Sequence, residues 1–429
     1  MIRLVHLFRG EICLIAYEID QKFKSSKLKN LKEVVWQELA KNNRINALSP
    51  KAEVAITAGS RGIENIVPIL RETANYLIGK KLNPFIFPAM GSHGGATAEG
   101  QILVLEQLGI TEEAIGVPIR SSMEVIKLGN VNGNLPVYMD KIAYEADGII
   151  VINRIKAHTA FSGKIESGLS KMVSVGMGKQ KGASFIHSQG AENMEFNIIQ
   201  GSKYAIDNSP ICMGLAIIED CYDQTSIIQG VSLEDWHEEE AKLLKTSKSL
   251  MPSLPLDEID LLIVEEMGKC YSGTGMDPNI IGRLRIDGLP EPKKPTIKRI
   301  SVLDLADKSH GNAQGIGLAD FTTEKLIFKV DRHATYMNSI TSTFLRRAMF
   351  PLIYPTEEEA IKQALLSLGP EFDQKNASIV QIANTLHLSR LIVSESALKK
   401  FKSSVDHSVN RKIEFKFENG NLVYKISKL

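Results

Sequence analysis

The sequence predicts an α/β protein built from two domains, each with a mainly parallel sheet. Short apolar, β-branched runs alternate with amphipathic stretches of helical spacing in both halves of the chain, and this alternation is typical of parallel strands joined by helices. A chain of 429 residues also has room for two or three domains of roughly 100–200 residues each. The hydrophobic fraction of 43% and the charged fraction of 24% are typical of folded globular domains.

The clearest domain boundary lies at residues 247–257, where the sequence SKSLMPSLPLD contains two prolines. Proline and serine at this density end a helix and suit a hinge. We therefore assign residues 1–250 to a first domain and residues 257–400 to a second. Residues 401–429 form a tail, in which Asn419-Gly420 between alternating residues predicts a β-hairpin. The tail can pack back on the first domain, which the sequence leaves open.

Three strands are predicted in the first domain, at Glu53–Ala58, residues 84–90 and residues 148–152. The first leads through GSRG at residues 59–62 into an amphipathic helix that begins near Ile66. The second leads through GSHGG at residues 91–95 into a helix that Thr97 caps and Gly109 ends. The third strand is fully apolar, which is typical of a strand covered on both faces.

The second domain is predicted to repeat this alternation of strands and helices. Strands are expected at residues 259–264, 299–305 and 390–394, and helices near residues 331–348 and 357–368. A glycine-rich segment at residues 311–323 follows His310. That segment is either a loop that lines a ligand or an ordered turn.

The composition excludes several classes of function. With 51 Lys and Arg against 50 Asp and Glu, the net charge is +1, and aromatic residues make up only 6%; nucleic-acid binding favours a strongly basic surface. No apolar run reaches the roughly 20 residues of a membrane-spanning helix. Residues 1–20 mix charges into apolar runs and predict strands of the fold, not a secretory signal. Four cysteines without a CxxC pair indicate a reduced, cytoplasmic protein.

Basic side chains follow all three predicted strands of the first domain. Arg61 follows the first strand, His93 follows the second, and His158 follows the third. The carboxyl ends of parallel strands meet at one edge of a sheet, where open α/β proteins bind their ligands. Glycines 91, 94 and 95 allow backbone N–H groups to approach an anion closely. A single loop histidine is more often structural, and Arg61 has Glu64 nearby as a partner, so the prediction of an active site depends on this convergence.

Glycine and lysine are concentrated in residues 161–190, which predicts a loop that wraps a phosphate-bearing ligand. In Gly176-Met177-Gly178 the third glycine of a dinucleotide fingerprint is replaced by Lys181, and the stretch also lacks the Gly-Lys-Ser/Thr of a P-loop. His187 can ligate a metal, although one histidine does not define a metal site. Lys171 and His187 lie 16 residues apart, so only tertiary folding can bring them together.

These residues resemble the nickel-dependent lactate racemase family, the LarA-like racemases and epimerases of 2-hydroxy acids. The family's Asp-x-Thr-Arg motif looks like Ala58-Gly59-Ser60-Arg61, which keeps the arginine and loses the aspartate. Its Gly-Thr-His-Arg motif looks like Gly91-Ser92-His93-Gly94. Ala146-Asp147 before the third strand and His158 after it are also similar to the family pattern.

The resemblance continues through the glycine- and lysine-rich stretch and covers roughly residues 50–190. The family's Ser-Gly-Gly-Arg-Lys stretch looks like Ser167-Gly168-Leu169-Ser170-Lys171, and the family histidine 16 residues beyond its lysine falls on His187. The segment from His158 to Lys171 is about three residues longer than in the family. In the second domain the family's Tyr-Gln…Lys substrate cluster falls near residues 281–285, where only a cation is retained.

The resemblance implies two α/β domains with the active site in the cleft between them. It also implies a nickel-pincer cofactor, a pyridinium mononucleotide tethered to the protein through a lysine. The residue roles that it implies are catalysis by His93, His158 and Arg61, cofactor binding by Lys171, Ser60, Gly94, Gly95 and Gly168, nickel ligation by His187, and substrate binding by Arg285 or Arg283.

The implied reaction is racemisation or epimerisation of a small 2-hydroxy acid. Imidazole is too weak a base to remove a proton from an unactivated C–H bond, whereas an electron-poor pyridinium can accept that hydrogen as hydride. The hydroxyl proton must leave to a base with a pKa near 7, for which His93 and His158 are suited. Arg61 would hold the carboxylate or a cofactor oxygen in a bidentate contact.

Two other functions remain open at the level of sequence. Three histidines, His93, His158 and His187, can bind zinc and would then define a metal-dependent hydrolase or lyase, but Lys171 and the glycines would stay unexplained. A non-catalytic or divergent family member would bind a small anionic ligand instead. The lost aspartate at Ala58 and the altered substrate cluster favour this second alternative.

Overall fold

The computed structural model describes residues 14–428, which form two compact units. The N-terminal unit comprises residues 24–251, and the C-terminal unit comprises residues 252–428 together with residues 14–23. Both units are α/β with mainly parallel sheets, so the predicted fold class is confirmed. The strands expected within residues 1–13 lie outside the described residues.

The chain forms seventeen described strands and fifteen described α-helices. The strands are β1 (Ile15–Lys22), β2 (Glu53–Ala58), β3 (Asn83–Pro88), β4 (Val125–Val131), β5 (Leu135–Asp140), β6 (Gly148–Arg154), β7 (Ile211–Glu219), β8 (Thr225–Val231), β9 (Glu258–Val264), β10 (Thr296–Val302), β11 (Phe321–Thr323), β12 (Leu352–Tyr354), β13 (Ile379–Ile382), β14 (Arg390–Ser394), β15 (Asp406–Glu414), β16 (Phe417–Glu418) and β17 (Asn421–Leu422). The helices are α1 (Leu31–Ala40), α2 (Asn43–Asn46), α3 (Ile66–Gly79), α4 (Ala98–Gln107), α5 (Glu112–Ile115), α6 (Lys141–Tyr144), α7 (Leu169–Lys171), α8 (Lys179–Ser188), α9 (Met194–Asp207), α10 (Trp236–Leu250), α11 (Pro278–Ile281), α12 (Glu324–Phe328), α13 (Arg332–Ser342), α14 (Glu357–Leu366) and α15 (Glu395–Leu398).

The N-terminal unit is built on a five-stranded sheet with the order β3-β2-β6-β7-β8. Its strands are parallel except β8, which runs antiparallel to β7. Alternate side chains point to opposite faces, so Ile56 and Ile150 pack under α1 and α3 while Ala55 and Val151 pack under α10. Each aliphatic side chain buried in this way stabilises the fold by roughly 1.5–3 kcal/mol. The two cores fix the positions of the strand ends.

The C-terminal unit is built on an eight-stranded sheet with the order β12-β11-β10-β9-β13-β14-β1-β15. Strands β12 to β13 in this order are parallel, and β14, β1 and β15 continue the sheet with antiparallel pairing. Strand β1 therefore belongs to this unit, and the assignment of residues 1–250 to one domain is wrong for residues 14–23. Pairing of β1 with strands almost 400 residues away leaves no local signal in the sequence.

The C-terminal tail packs on the C-terminal unit. Its strand β15 pairs with β1, and β16 and β17 form the predicted hairpin around Asn419 and Gly420, which have φ angles of 50° and 76° that suit a tight turn between strands. The buried carboxylate of Glu357 accepts a hydrogen bond from the backbone N–H of Leu422 at 2.9 Å. The tail does not extend the N-terminal sheet, because its strand partner β1 is itself part of the other sheet.

The glycine- and lysine-rich stretch is mostly helical, so the prediction of a loop over residues 161–190 is wrong for residues 169–188. Helix α7 continues into a π-helical turn over Met172–Gly176, and α8 follows. Its glycines serve close packing: a Cβ added at Gly176 would lie 2.5 Å from the carbonyl oxygen of Ala89. Packing of apolar residues such as Leu169 and Val173 into the core outweighs the low helix propensity of glycine.

Residues 311–320 form an ordered turn inside the C-terminal unit, and residues 321–323 form strand β11. A Cβ added at Gly315 would lie 1.7 Å from the carbonyl oxygen of Thr274, and one at Gly317 would lie 2.0 Å from that of Arg346. Close backbone packing therefore accounts for the glycines of this segment. None of the helices within residues 14–428 has the length and apolar character needed to cross a membrane.

Candidate active site

The predicted basic residues follow strands that end at one edge of the N-terminal sheet. Strands β3, β2 and β6 are adjacent and parallel, so the residues that follow them lie side by side. Ser60 follows β2 and His93 follows β3, and the Ser60 hydroxyl forms a short hydrogen bond with Nδ1 of His93. His158 follows β6 at the same edge.

His158 is held by three neighbours. Its Nδ1 accepts a hydrogen bond from the backbone N–H of Ala160 at 3.0 Å, and its Nε2 lies 2.6 Å from Nζ of Lys171. The ring also packs against Phe161, with 4.4 Å between the ring centroids. Two residues that are 13 positions apart in the sequence therefore form one pair.

The loop that carries His158 is organised by the carboxylate of Glu166, which is only 1% exposed. This carboxylate accepts hydrogen bonds from the backbone N–H of His158 at 2.7 Å and that of Gly163 at 2.9 Å. The ammonium of Lys248 from α10 lies 2.6 Å from the same carboxylate. A buried carboxylate with this many donors is well compensated for the loss of water.

The amine of Lys171 lies in a positive environment. Burial lowers the pKa of Lys171 to about 8, and the positive charge of Arg61 lowers it further in the same direction. Burial and the neighbouring Arg154 also lower the pKa of Arg61. Repulsion from the positive charge of Arg61, in the loop after β2, favours an uncharged amine at Lys171.

His187 lies within electrostatic reach of Lys171. Removal of water by surrounding protein atoms lowers the pKa of His187 to about 4, and the charge of Lys171 contributes. The residue still keeps an exposed face. Its imidazole is therefore neutral near pH 7, which is the form that ligates metals.

The turn that carries Lys171 rests on α10. Oε2 of Glu240 accepts a hydrogen bond from the backbone N–H of Ser170 at 3.0 Å and a shorter one from its hydroxyl, while Nε1 of Trp236 donates to the same hydroxyl at 3.1 Å. Burial raises the pKa of Glu240 to about 7, against the effect of the hydrogen bonds from Ser170. The side chains of α10 thus fix the residue next to Lys171.

The π-helical turn after Lys171 contacts the loops that follow β2 and β3. The backbone N–H of Met177 donates to the carbonyl of Met172 at 2.8 Å, and the N–H of Gly91 donates to the carbonyl of Gly176 at 3.0 Å. A Cβ added at Gly59, just after β2, would lie 3.2 Å from Cε of Met172. Single π-helical turns are frequent at functional sites, and this one contacts the loops that carry Arg61 and His93.

A fully buried lysine supports the His93 loop. Nζ of Lys179 is hydrogen-bonded to the carbonyl of Pro88 and to Oε1 of Gln101, and it lies 3.1 Å from Oδ2 of Asp140. Nε2 of Gln101 in turn donates to the carbonyl of Gly91 at 2.9 Å and to that of His93 at 3.3 Å. Burial raises the pKa of Asp140 and lowers the pKa of Lys179, and attraction within the pair opposes both shifts.

The three glycines expected at the cofactor have structural reasons of their own. A Cβ added at Gly94 would lie 2.4 Å from the backbone of Gly100, and one at Gly168 would lie 2.2 Å from Oε1 of Glu240. Gly95 has open space around the position of a Cβ but a φ angle of +65°. Close approach and left-handed backbone therefore account for these residues, and cofactor contacts for them stay a prediction.

The two arginines expected at the substrate lie in the C-terminal unit and share one partner. Arg283 and Arg285 each lie 2.7 Å from the carboxylate of Asp320. Arg283 also donates to the carbonyl of Ile297 at 2.8 Å, and Arg285 to that of Ala319 at 3.2 Å. These contacts give both guanidinium groups a structural role, and substrate binding by either one stays a prediction.

The part of the chain that the structure describes forms no metal site made of protein ligands alone. Within residues 14–428 there is no group of three or more histidine, cysteine, aspartate or glutamate side chains placed to hold a metal ion. The zinc site of His93, His158 and His187 that the sequence left open is therefore not supported. A metal bound through His187 would need further donors from a cofactor.

Sequence reasoning missed four residues that position the site. These are Glu166, Glu240, Lys179 and Gln101, each with at most 1% of its surface exposed. Lysines in a glycine-rich stretch are usually solvated, so burial of Lys179 had no signal in the sequence. The role of Glu166 did have a signal in the sequence, because an acidic residue between two glycines of a loop can accept backbone N–H groups of that loop.

The chain is similar to known proteins in part of its sequence and in its fold. Residues 24–194 match the family model of the lactate racemase N-terminal domain. The structure is similar to that of the lactate racemase apoprotein from Thermoanaerobacterium thermosaccharolyticum, with 14% sequence identity, a TM-score of 0.50, and coverage of 86% of this chain and 98% of that one. It is also similar to a protein from Thermotoga maritima with 12% identity, a TM-score of 0.48, and coverage of 76% and 84%. No curated protein matches the sequence.

The chain is an α/β protein with a domain similar to the N-terminal domain of lactate racemases. Residues 24–194 match the model of the lactate racemase N-terminal domain, so the resemblance to LarA-like proteins drawn from the sequence is confirmed. At 14% identity the racemase structure shows that the fold is shared.

Proposed function

We propose that the protein interconverts stereoisomers of a small 2-hydroxy acid, using a nickel-pincer nucleotide held covalently on Lys171. The observation that carries this proposal is the pairing of Lys171 with His158 at the sheet edge that also holds His93. These residues all lie within the part of the chain that matches the racemase domain. Held by Lys171 and His187, such a cofactor would supply an electron-poor pyridinium for hydride chemistry at the substrate C–H bond.

The residues at the sheet edge fit such a cofactor. An uncharged amine is the nucleophilic form of lysine, and burial together with Arg61 favours that form at Lys171. His187 supplies one neutral imidazole. A cofactor that brings its own soft donors needs only one such ligand from the protein.

His93 and His158 would move the hydroxyl proton of the substrate. Hydroxyl oxidation and reduction require a base whose pKa lies near the working pH, and histidine meets that requirement. Ser60 engages Nδ1 of His93, so we assign proton exchange to Nε2 of that ring. A base on each side of a planar 2-keto acid allows either stereoisomer to be formed.

Arg61 would bind the substrate carboxylate. Its guanidinium stays positively charged near pH 7 although burial lowers its pKa, and its planar fork suits a carboxylate. The position of Arg61 after β2, beside Ser60 and near Lys171, places this charge at the same edge as the two histidines.

Racemisation in D₂O tests the proposal. The protein is produced together with enzymes that make the nickel-pincer nucleotide, and each of a panel of 2-hydroxy acids is offered as a single stereoisomer. We expect one of them to be converted to its other stereoisomer without deuterium at C2, because hydride does not exchange with solvent. Deuterium at C2, or turnover that persists in Lys171→Ala, would overturn the proposal.

A divergent member of the family that binds a small anion without turnover is the second candidate. The ion pairs of Arg283 and Arg285 with Asp320 favour this alternative, because both arginines then stabilise the fold instead of binding a substrate. Protein that carries the full cofactor and converts none of the 2-hydroxy acids would support this alternative.

A further inference from the structure

We propose that His158 has a second role, which is to hold Lys171 as the uncharged amine before anything is attached to it. This role precedes turnover and is separate from acid–base catalysis. We take Lys171 as the attachment point, as in the proposed function. The hydrogen-bond geometry that defines the role depends only on the described residues.

The tautomer of His158 is determined by a backbone donor. The N–H of Ala160 lies 3.0 Å from Nδ1 of the ring, and a backbone N–H can only donate. Nδ1 must therefore present its lone pair. A neutral imidazole with a lone pair on Nδ1 carries its proton on Nε2.

The tautomer of His158 determines the charge of Lys171 in this contact. Nε2 lies 2.6 Å from Nζ of Lys171, so the Nε2–H group donates and Nζ accepts. An ammonium group has no lone pair with which to accept. If Lys171 were an ammonium ion, its N–H groups and the Nε2–H of His158 would face each other as two donors at 2.6 Å. The contact therefore requires the free amine.

The other charged groups around Lys171 do not stabilise an ammonium ion. Arg61 from the loop after β2 repels it, and His187 from α8 is neutral near pH 7. Glu240 from α10 contacts Ser170. Among residues 14–428 no carboxylate forms an ion pair with Lys171. The environment and the hydrogen bond from His158 therefore favour the same protonation state.

The consequence is a lysine that reacts with acyl donors near neutral pH. In such a reaction the lone pair of Nζ attacks the acyl carbon, an amide bond forms, and the bond from that carbon to the leaving group breaks. The leaving group keeps the bonding electron pair, and the proton lost by nitrogen passes to solvent. The hydrogen bond from His158 must open before the attack, because it occupies the same lone pair.

Acylation of the full-length chain with the N-hydroxysuccinimide ester of acetic acid tests this role. The chain is purified from a host that makes no nickel-pincer nucleotide, and labelling of Lys171 is measured by peptide mass spectrometry between pH 6 and 10. Each rate is divided by the plateau rate of the same residue at high pH, and exposed Lys181 serves as the reference amine. We expect half-maximal labelling of Lys171 at a lower pH than that of Lys181.

Two substitutions of His158 separate a hydrogen bond from simple packing. In His158→Leu we expect the midpoint to rise by about one pH unit, which corresponds to a hydrogen bond of roughly 0.5–1.5 kcal/mol at 1.36 kcal/mol per unit. In His158→Gln the side-chain amide can still donate to Nζ, so the midpoint should stay near the native value. A midpoint in His158→Leu that is unchanged or lower would overturn the proposal.

A measurement on the unmodified chain is independent of these variants. ¹⁵N NMR distinguishes the two neutral tautomers of a histidine, and we expect His158 to carry its proton on Nε2 at pH 9. A proton on Nδ1 would contradict the proposal even if every variant folds poorly. If Lys171 labels as expected but never acquires the nickel-pincer nucleotide, the proposed function fails and the role of His158 stands.

Discussion

The carboxylate of Glu240 accepts hydrogen bonds from both the backbone N–H and the hydroxyl of Ser170, the residue immediately before Lys171. Glu240 is 1% exposed and belongs to α10, far along the chain from α7. Helix α10 therefore sets the position of the lysine turn through Glu240, together with Trp236, which donates to the same hydroxyl. Since burial raises the pKa of Glu240 to about 7, its charge changes within the physiological range.

The raised pKa of Glu240 predicts a stability that falls as the pH rises. The folded protein binds this proton more tightly than the unfolded chain, whose carboxyl has a pKa near 4.5. The contribution of this proton to the free energy of unfolding is fully present below about pH 4.5 and is lost as the pH rises through about 7. Its magnitude is on the order of 3 kcal/mol. In Glu240→Gln, whose amide resembles the protonated acid, this loss should be absent.

Thermal unfolding at pH 5 and pH 8.5 measures the effect of Glu240. We expect the stability of Glu240→Gln, measured as its difference from the native chain, to be greater at pH 8.5 than at pH 5. Exposed Glu238 on the same helix provides the matched control, since Glu238→Gln should follow the native pH dependence. The same dependence in all three chains would contradict a raised pKa at Glu240.

Glu166→Ala is expected to loosen the His158 loop while β6 stays intact. The carboxylate that accepts the N–H groups of His158 and Gly163 is removed, and those amides then have no acceptor in the loop. Hydrogen exchange at both amides should become at least about tenfold faster, because a lost hydrogen bond to a charged group is worth roughly 1.5–3 kcal/mol.

Exchange at Ile150 in β6 is the internal reference for this measurement. Lys248→Met is the matched variant, because it removes the cation at 2.6 Å but leaves both amide hydrogen bonds. Equal protection of the His158 and Gly163 amides in Glu166→Ala and in the native chain would show that Glu166 does not organise the loop.

Lys179→Met is expected to destabilise the protein by about 3–5 kcal/mol, because it leaves Asp140 buried without its cation. Asp140→Asn combined with Lys179→Met removes both charges, and this double variant should recover part of the loss. Urea unfolding of both variants measures the difference. Equal stability of the single and double variants would mean that the unpaired charge of Asp140 does not cause the loss of stability in Lys179→Met.

His93→Ala is expected to lower turnover by a factor of about 10²–10⁴, the usual contribution of a general acid or base, while Lys171 still acquires the nickel-pincer nucleotide. Ser60→Ala removes only the hydrogen bond to Nδ1 and should cost less. Initial rates and nickel content of both variants provide the comparison. Loss of nickel in His93→Ala would instead place His93 at the cofactor.

The sequence was sufficient for the features that depend on local patterns. Strand β2 has the predicted bounds, and Thr97 caps α4 through a hydrogen bond from the N–H of Gly100 at 3.0 Å. The placement of Arg61, His93 and His158 after adjacent parallel strands also followed from the sequence, because parallel strands place their carboxyl ends together.

Features that depend on distant partners could not be predicted. Strand β1 joins a sheet whose other strands come from the opposite end of the chain. Burial of Lys179 depends on Asp140 and Gln101 from two other elements. Helix formation after Gly168 depends on packing against α10, since glycine by itself disfavours a helix. In each case a tertiary contact outweighs the local preference.

The identity of the group on Lys171 is the most direct test of the account. We propose to isolate the protein from its native host and to measure its intact mass, its nickel content and the masses of its peptides. We expect one nucleotide-sized increment on the peptide that contains Lys171, together with one nickel per chain, and neither in Lys171→Arg; Lys181→Arg should keep both. Unmodified Lys171 in native protein that racemises a 2-hydroxy acid, or an increment that persists in Lys171→Arg, would contradict the account.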